Sequence, residues 1–149
     1  MTDDEPRFSV AAYAVVTNAD GQVLLTRRRE SDDWVLPGGT VEQEEPPWEA
    51  AVREVGEETG LDVDVDRLVG VYVKRRERDL VLLLAAAPVG GALRTSAERD
   101  RVAFFDPAGL PEKTSERDRE RIADALSGTE RPILSVQPSA GERPPAGTR

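Results

Sequence analysis

The chain of 149 residues contains no cysteine and no histidine. The lack of cysteine excludes disulfide bonds, thiolate metal sites and a cysteine nucleophile. The lack of histidine excludes imidazole metal ligands and the commonest general base. Any acid–base or metal chemistry must therefore depend on carboxylates, lysine, tyrosine or bound water.

Basic charge and long apolar runs are also scarce. The sequence has 20 basic and 29 acidic residues, so its net charge is −9. This negative charge argues against binding to nucleic-acid polymers. No apolar stretch approaches membrane-spanning length, and the acidic start MTDDEPRF does not resemble a signal peptide. We therefore expect a cytoplasmic protein that has neither a nucleic-acid nor a membrane partner.

Length and composition predict one domain with a tail, because a chain of this size supports a single hydrophobic core. We expect a flexible N-terminus at residues 1–7 and a folded domain at 8–128. The remainder, 129–149, is rich in proline and glycine, which predicts a disordered tail. Within it, the apolar residues 133–136 are expected either to dock on the domain or to pair as an edge strand.

Hydrophobic patterning within the domain predicts strands and two helices. The strands are expected at 9–17, 22–28, 34–36, 68–76, 80–88 and 101–105, and the helices at 47–59 and 115–126. Residues 18–21 form a predicted turn that joins the first two strands as a hairpin. Pro37, Gly38 and Gly39 predict a sharp bend before the first helix. This order of elements indicates a mixed α/β layered fold.

Three glutamates share one face of the first predicted helix. At about 100° per residue, Glu54, Glu57 and Glu58 lie within an arc of roughly 100°. Like charges at this spacing repel by a few tenths of a kcal/mol per pair, so a positive partner is expected. Mg²⁺ or Mn²⁺ would suit, because a hard cation takes oxygen ligands and shares its other positions with water and phosphates.

These glutamates belong to a longer pattern of fixed spacing. Its members are Gly39, Glu45, Arg53, Glu54, Val55, Glu57, Glu58, Gly60 and Leu61. They fill every fixed position of the Nudix box, so the segment resembles the signature of that family. The flanking sequences WVLPGG and FFDPAGLP also resemble the family's. The resemblance implies an α/β/α sandwich with a mixed β-sheet and hydrolysis of a diphosphate linked to another group.

The resemblance also implies roles for the charged residues of the box. Glu57 and Glu58 match the main metal ligands of the family, and Glu54 matches either a further ligand or the base that accepts a proton from water. The carbonyl of Gly38 would be another ligand. Arg53 is expected to orient the Glu57 carboxylate from one turn away.

Further candidates lie around this core. Glu45 is expected to support the site by bonding Arg53 or the loop, and Gly39 to let the backbone approach substrate closely. Arg27, Arg28 and Arg29 lie at the end of a predicted strand, and one of them, Arg27 or Arg28 foremost, is expected to bind a substrate phosphate. Many relatives add an acidic residue from a later loop, and Glu98 or Asp100 is a candidate for that position.

One position departs from the family pattern. The family often has glycine immediately before the glutamate of the box, whereas this chain has Glu44 before Glu45. The substitution puts the geometry of this loop in doubt, although it leaves the set of predicted ligands unchanged.

The substrate is less well specified than the reaction. The compact domain is most like enzymes that hydrolyse oxidised nucleoside triphosphates such as 8-oxo-dGTP, with ADP-ribose or a nucleotide sugar as alternatives. An alternative function is that of a regulator that binds a nucleotide without hydrolysing it. Such proteins often lose box glutamates, whereas this box keeps all of them. An isoprenoid diphosphate isomerase is excluded because it needs a cysteine. The sequence leaves open whether the protein is a monomer or a homodimer.

Overall fold

The structure, a computed structural model, describes residues 7–139. This part of the chain forms two β-sheets and two helices. Most of the predicted flexible N-terminus and residues 140–149 of the predicted tail lie outside this range. None of the helices in the described range is long and apolar enough to cross a membrane.

Four strands precede the first helix, three lie between the two helices, and one follows the second helix. The strands are β1 (Ser9–Val16), β2 (Val23–Arg28), β3 (Trp34–Val35), β4 (Gly38–Thr40), β5 (Leu61–Lys74), β6 (Asp79–Gly91), β7 (Arg99–Phe105) and β8 (Ile133–Val136). The helices are α1 (Pro47–Thr59) and α2 (Glu116–Leu126), with a short 3₁₀ turn at Pro107–Gly109. Both helices were predicted to within one residue.

The larger sheet has the strand order β4-β1-β6-β5-β8. Strand β1 runs parallel to β6 and β5 runs parallel to β8, whereas the β1–β4 and β5–β6 pairs are antiparallel. The predicted mixed sheet is therefore confirmed. A smaller antiparallel sheet, β3-β2-β7, lies beside it.

The two helices cover opposite faces of the larger sheet. Ala12 of β1 clusters with Ala50 of α1, whereas Val15 clusters with Ile122 of α2. An even residue and an odd residue of one strand point to opposite faces. The arrangement is thus the α/β/α sandwich that the resemblance implied.

The prediction that β1 and β2 pair as a hairpin was wrong. The turn itself forms, since the Gly21 amide donates to the Asn18 carbonyl at 3.0 Å, and a single bridge joins Thr17 to Val23. Beyond that bridge the strands enter different sheets. Strand β1 has β4 and β6 as neighbours, and β2 has β3 and β7, so neither has an edge left for the other.

Two other strand assignments differ from the prediction, and a third decides between two alternatives that the sequence left open. Strand β4 occupies residues expected to form only a bend, and it pairs with β1. Strand β5 begins at Leu61, well before the predicted residue 68, and its buried Leu61 and Val63 alternate with the exposed Asp62 and Asp64. Of the two alternatives for residues 133–136, pairing as an edge strand is the one the structure has, because β8 adds to β5.

Local signals account for the ends of α1. Pro47 occupies the first helical turn, where the missing amide costs nothing. Gly60 ends the helix with φ of 82°, a left-handed conformation that glycine adopts without strain, and its amide donates to the Gly56 carbonyl. The helix therefore presents the predicted glutamates along its second half.

Candidate active site

The three glutamates of α1 lie in different environments. The Glu58 and Glu54 side chains are 7% and 17% exposed, whereas Glu57 is 59% exposed. Glu54 and Glu58 are one turn apart and face β4, and Glu57 lies on the rim. The helical face predicted from the sequence is therefore divided into two inner carboxylates and one outer carboxylate.

Glu58 is the most enclosed carboxylate of the three. Its Oε1 accepts a hydrogen bond from the Gly38 amide at 3.0 Å, and its Oε2 accepts one from Arg99 Nη2 at 3.2 Å. Burial raises the pKa of Glu58 to about 7, and the nearby Glu54 charge adds to the rise, while Arg99 and the Gly38 amide oppose it. A nearby positive charge would favour the ionised form of both carboxyl groups.

Strand β4 packs closely on α1 and β1 because it lacks side chains at two positions. A methyl group added at Gly39 would lie 2.8 Å from the Glu54 carboxyl carbon. One added at Gly38 would lie 2.4 Å from the Ala12 carbonyl oxygen. Gly39 is therefore required for the backbone to approach Glu54, and Gly38 for it to pack against β1.

Arg53 connects the helix with the preceding loop. Its shortest contact joins Nε to Glu45 Oε2 at 2.7 Å, and Nη1 donates to Glu54 Oε1 at 3.0 Å and to Glu57 Oε2 at 3.3 Å. Nη2 also donates to the Thr40 carbonyl at 3.3 Å. These hydrogen bonds, led by the one to Glu45, raise the pKa of Arg53. Arg53 thus contacts the predicted partner Glu57, but Glu45 is its principal one.

Glu45 makes the contacts expected of a supporting residue. Both of its oxygens accept from Arg53, and Oε1 also accepts from the Glu42 amide at 3.1 Å. Arg53 accordingly lowers the pKa of Glu45. The adjacent Glu44 has φ of 64°, a left-handed conformation that explains why the family often has glycine at this position.

Arg27 and Asp100 contact each other. Arg27 Nε and Nη2 donate to the two carboxylate oxygens of Asp100 at 2.9 and 2.8 Å. The pair raises the pKa of Arg27 and lowers the pKa of Asp100. This bidentate contact would have to break before Arg27 could bind a substrate phosphate or Asp100 could serve as the extra acidic residue.

Arg28 and Glu98 line a cleft of about 450 Å³ that is linked to Glu58 through Arg99. Its other lining residues are Arg29, Glu30, Ala97 and Arg99. Arg99 was not predicted from the sequence, although it bonds Glu58. Its position depends on the pairing of β7 with β2, which aligns Arg99 with Arg28, and no local pattern in the sequence reveals that pairing.

The donor atoms suit a hard divalent cation, which the family uses. Within residues 7–139, no three acidic side chains are already gathered as a metal cluster. The two inner carboxylates nevertheless both contact the β4 backbone, and all the candidate ligands are oxygen atoms. That chemistry fits Mg²⁺ or Mn²⁺.

Comparisons with known proteins agree with this geometry. The family model described as NUDIX domain matches residues 7–125. A MutT-like protein of Streptomyces ambofaciens is 40% identical over 123 residues, which cover 83% of this chain and 80% of that protein. A putative 8-oxo-dGTP diphosphatase of Bacillus subtilis is 31% identical over 133 residues, 89% of each chain. The crystal structure of an ADP-ribose pyrophosphatase from Streptococcus suis has a TM-score of 0.72 and covers 88% of this chain and 100% of its own. Its sequence identity of 23% shows the fold alone.

Proposed function

Because the chain belongs to the Nudix family and is a Nudix hydrolase, we propose that it hydrolyses an oxidised nucleoside triphosphate to the monophosphate and pyrophosphate. The observation that carries the proposal is the pair of inner carboxylates, Glu54 and Glu58, packed against the glycines of β4. The similarity to the Bacillus subtilis relative, which extends over 89% of each chain, supports the substrate. Hydrolysis breaks the bridge between the α- and β-phosphates and adds one molecule of water across it.

We propose Mg²⁺ as the metal, with Mn²⁺ as the alternative. Glu54, Glu57, Glu58 and the Gly38 carbonyl would hold it. When bound, a cation of this kind neutralises phosphate oxygens and favours deprotonation of water. In a chain of net charge −9, that local positive charge is needed to retain a polyphosphate.

The residues of the chain supply orientation and proton transfer. Arg53 fixes the Glu54 and Glu57 side chains through shared hydrogen bonds, and Glu45 fixes Arg53 in turn. Glu54 acts either as a metal ligand or as the base that accepts a proton from the attacking water, as its match to the family leaves open. A cytoplasmic location and a monomeric or homodimeric state stay predictions.

A substrate panel tests the proposed reaction. The enzyme is mixed with 8-oxo-dGTP, dGTP, ADP-ribose or a UDP-sugar in the presence of Mg²⁺ or Mn²⁺, and the nucleoside monophosphate that each of them would release is measured by anion-exchange chromatography. We expect 8-oxo-dGTP to have the highest kcat/KM and to release pyrophosphate. A higher value for ADP-ribose would reject the proposed substrate, and no turnover on any member would reject the proposed reaction.

Replacement of the most buried glutamate tests the site. Glu58→Gln should lower kcat by about a hundredfold or more, since even the residues that orient metal ligands contribute 10- to 100-fold. The melting temperature should change little, because glutamine preserves the shape of the side chain. Glu49→Gln, an exposed change in the first turn of α1, is the matched control and should retain full activity. Full turnover in Glu58→Gln would contradict the assignment.

A further inference from the structure

Arg99 lies between Glu58 and the cleft. It is the first residue of β7, its side chain is 12% exposed, and its Nη2 donates to Glu58 at 3.2 Å. The same side chain also lines the cleft of about 450 Å³. One guanidinium therefore borders both the inner carboxylates and the space beside them.

Two buried donors at this border have no acceptor. The Nε atoms of Arg99 and Arg28 are both inaccessible to solvent and lack a hydrogen-bond partner among residues 7–139. The two residues are opposite each other in the pairing of β7 with β2. A buried donor without a partner costs free energy, so two at one location indicate an acceptor that residues 7–139 do not supply.

The charges around the cleft favour an anion as that acceptor. Three arginines, Arg28, Arg29 and Arg99, line it against two glutamates, Glu30 and Glu98. This local excess of positive charge occurs in a chain whose net charge is −9. Planar guanidinium groups match the oxygens of phosphate in geometry and charge.

We propose that the cleft is the binding site for the substrate's phosphate chain and that Arg99 donates alternately to Glu58 and to a phosphate oxygen. The inference rests on the proposed function for the identity of the ligand. A guanidinium and a cation compete for the Glu58 carboxylate, so a metal bound by Glu58 makes Arg99 available to phosphate. Arg99 then opposes metal binding before substrate arrives and favours substrate binding afterwards, which couples the two ligands.

Two binding measurements on Arg99→Gln test this competition. Without nucleotide, in mildly alkaline buffer that keeps Glu58 ionised, Mn²⁺ binding followed by electron paramagnetic resonance should become tighter by about threefold or more. With saturating Mn²⁺, a methylene-bridged nucleoside triphosphate that cannot be hydrolysed should bind about tenfold to a hundredfold more weakly by calorimetry. A residue that only positions Glu58 would weaken both, so the opposite signs are diagnostic.

Two further variants complete the test. Arg101→Gln removes an exposed charge from the same strand and should change neither affinity. Arg99→Lys keeps a positive charge without the planar fork, so its affinity for the analogue should lie between wild type and Arg99→Gln. If Arg99→Gln fails to fold, as judged by its melt, Arg99→Lys decides the question.

The proposal is overturned if the analogue binds Arg99→Gln as tightly as wild type, or if Mn²⁺ and the analogue both bind more weakly. These outcomes differ from failure of the proposed function. Absence of turnover by the wild type on the substrate panel would reject that function, whereas the two binding measurements would still decide the role of Arg99.

Discussion

At the scale of single residues, Arg53 is the side chain on which the arrangement of the carboxylates depends most. It donates to Glu45, Glu54 and Glu57 and to the Thr40 carbonyl. A lysine would keep the charge but could not reach several acceptors in one plane. The geometry of the guanidinium, more than its charge, therefore positions the site.

Arg53→Lys tests this dependence. We expect kcat/KM to fall by about 10- to 100-fold, the usual effect of losing a residue that orients metal ligands. Steady-state kinetics at several Mg²⁺ concentrations would measure the fall and any shift in the metal requirement. Arg101→Gln, which removes a charge outside the site, is the control. Wild-type kinetics in Arg53→Lys would show that positive charge alone is sufficient.

Residues within the box were predictable and residues outside it were less so. The glutamates of α1 are close in sequence, so helical spacing alone places them together. Asp100 and Arg27 are 73 residues apart, and their contact follows from the register of β7 on β2. Arg99 was missed for the same reason. The sequence did identify Glu44 as a departure, and its left-handed backbone is the structural consequence.

At the scale of elements, helices were easier to predict than strands. Prolines and Gly60 mark the ends of α1, and Ser115 accepts from the Asp118 amide at the start of α2. Strand partners have no such local marker. The turn at 18–21 was correctly predicted, yet the partners of β1 and β2 were not, because these depend on distant segments.

Two glycines on different elements should respond oppositely to alanine. Gly56 lies inside α1, and an added methyl would meet only the Leu61 carbonyl at 3.9 Å, so Gly56→Ala should stabilise the protein by roughly 0.5–1 kcal/mol.

A methyl at Gly70 of β5 would lie 2.7 Å from the Ile133 carbonyl of β8. Gly70→Ala should therefore destabilise by about 1–3 kcal/mol. Urea denaturation would measure both, and equal stability of the two variants would contradict the close packing of β8.

At the scale of the whole molecule, the buried carboxyl of Glu58 makes stability depend on pH. Its pKa rises from 4.5 to about 7 in the folded chain, chiefly through burial. Between these values the unfolded chain has already lost a proton that the folded chain still binds. The free energy of unfolding should therefore fall as pH increases from about 4.5 to about 7, by about 2 kcal/mol.

Denaturant titrations in the presence of a chelator would measure this fall. Glu58→Gln removes the titrating group and should flatten the curve over the same pH range, and saturating Mg²⁺ should do so in the wild type by binding the ionised form. Glu45 and Asp100 affect stability in a more acidic pH range. Their pKa values are lowered in the folded chain, so the stability that their ionised forms contribute is lost only when lower pH protonates them. An unchanged fall in Glu58→Gln would assign the effect to another group.

The order of strands in the larger sheet also constrains how the molecule is made. Strand β1 lies between β4 and β6, and its parallel partner β6 begins at Asp79, about half the chain away. Such a distant pairing closes a long loop and slows folding. During synthesis the complete box emerges before β6 and β7 exist. A nascent chain can therefore carry every residue of the signature while it still lacks the sheet and the Arg99 contact that turn those residues into a site.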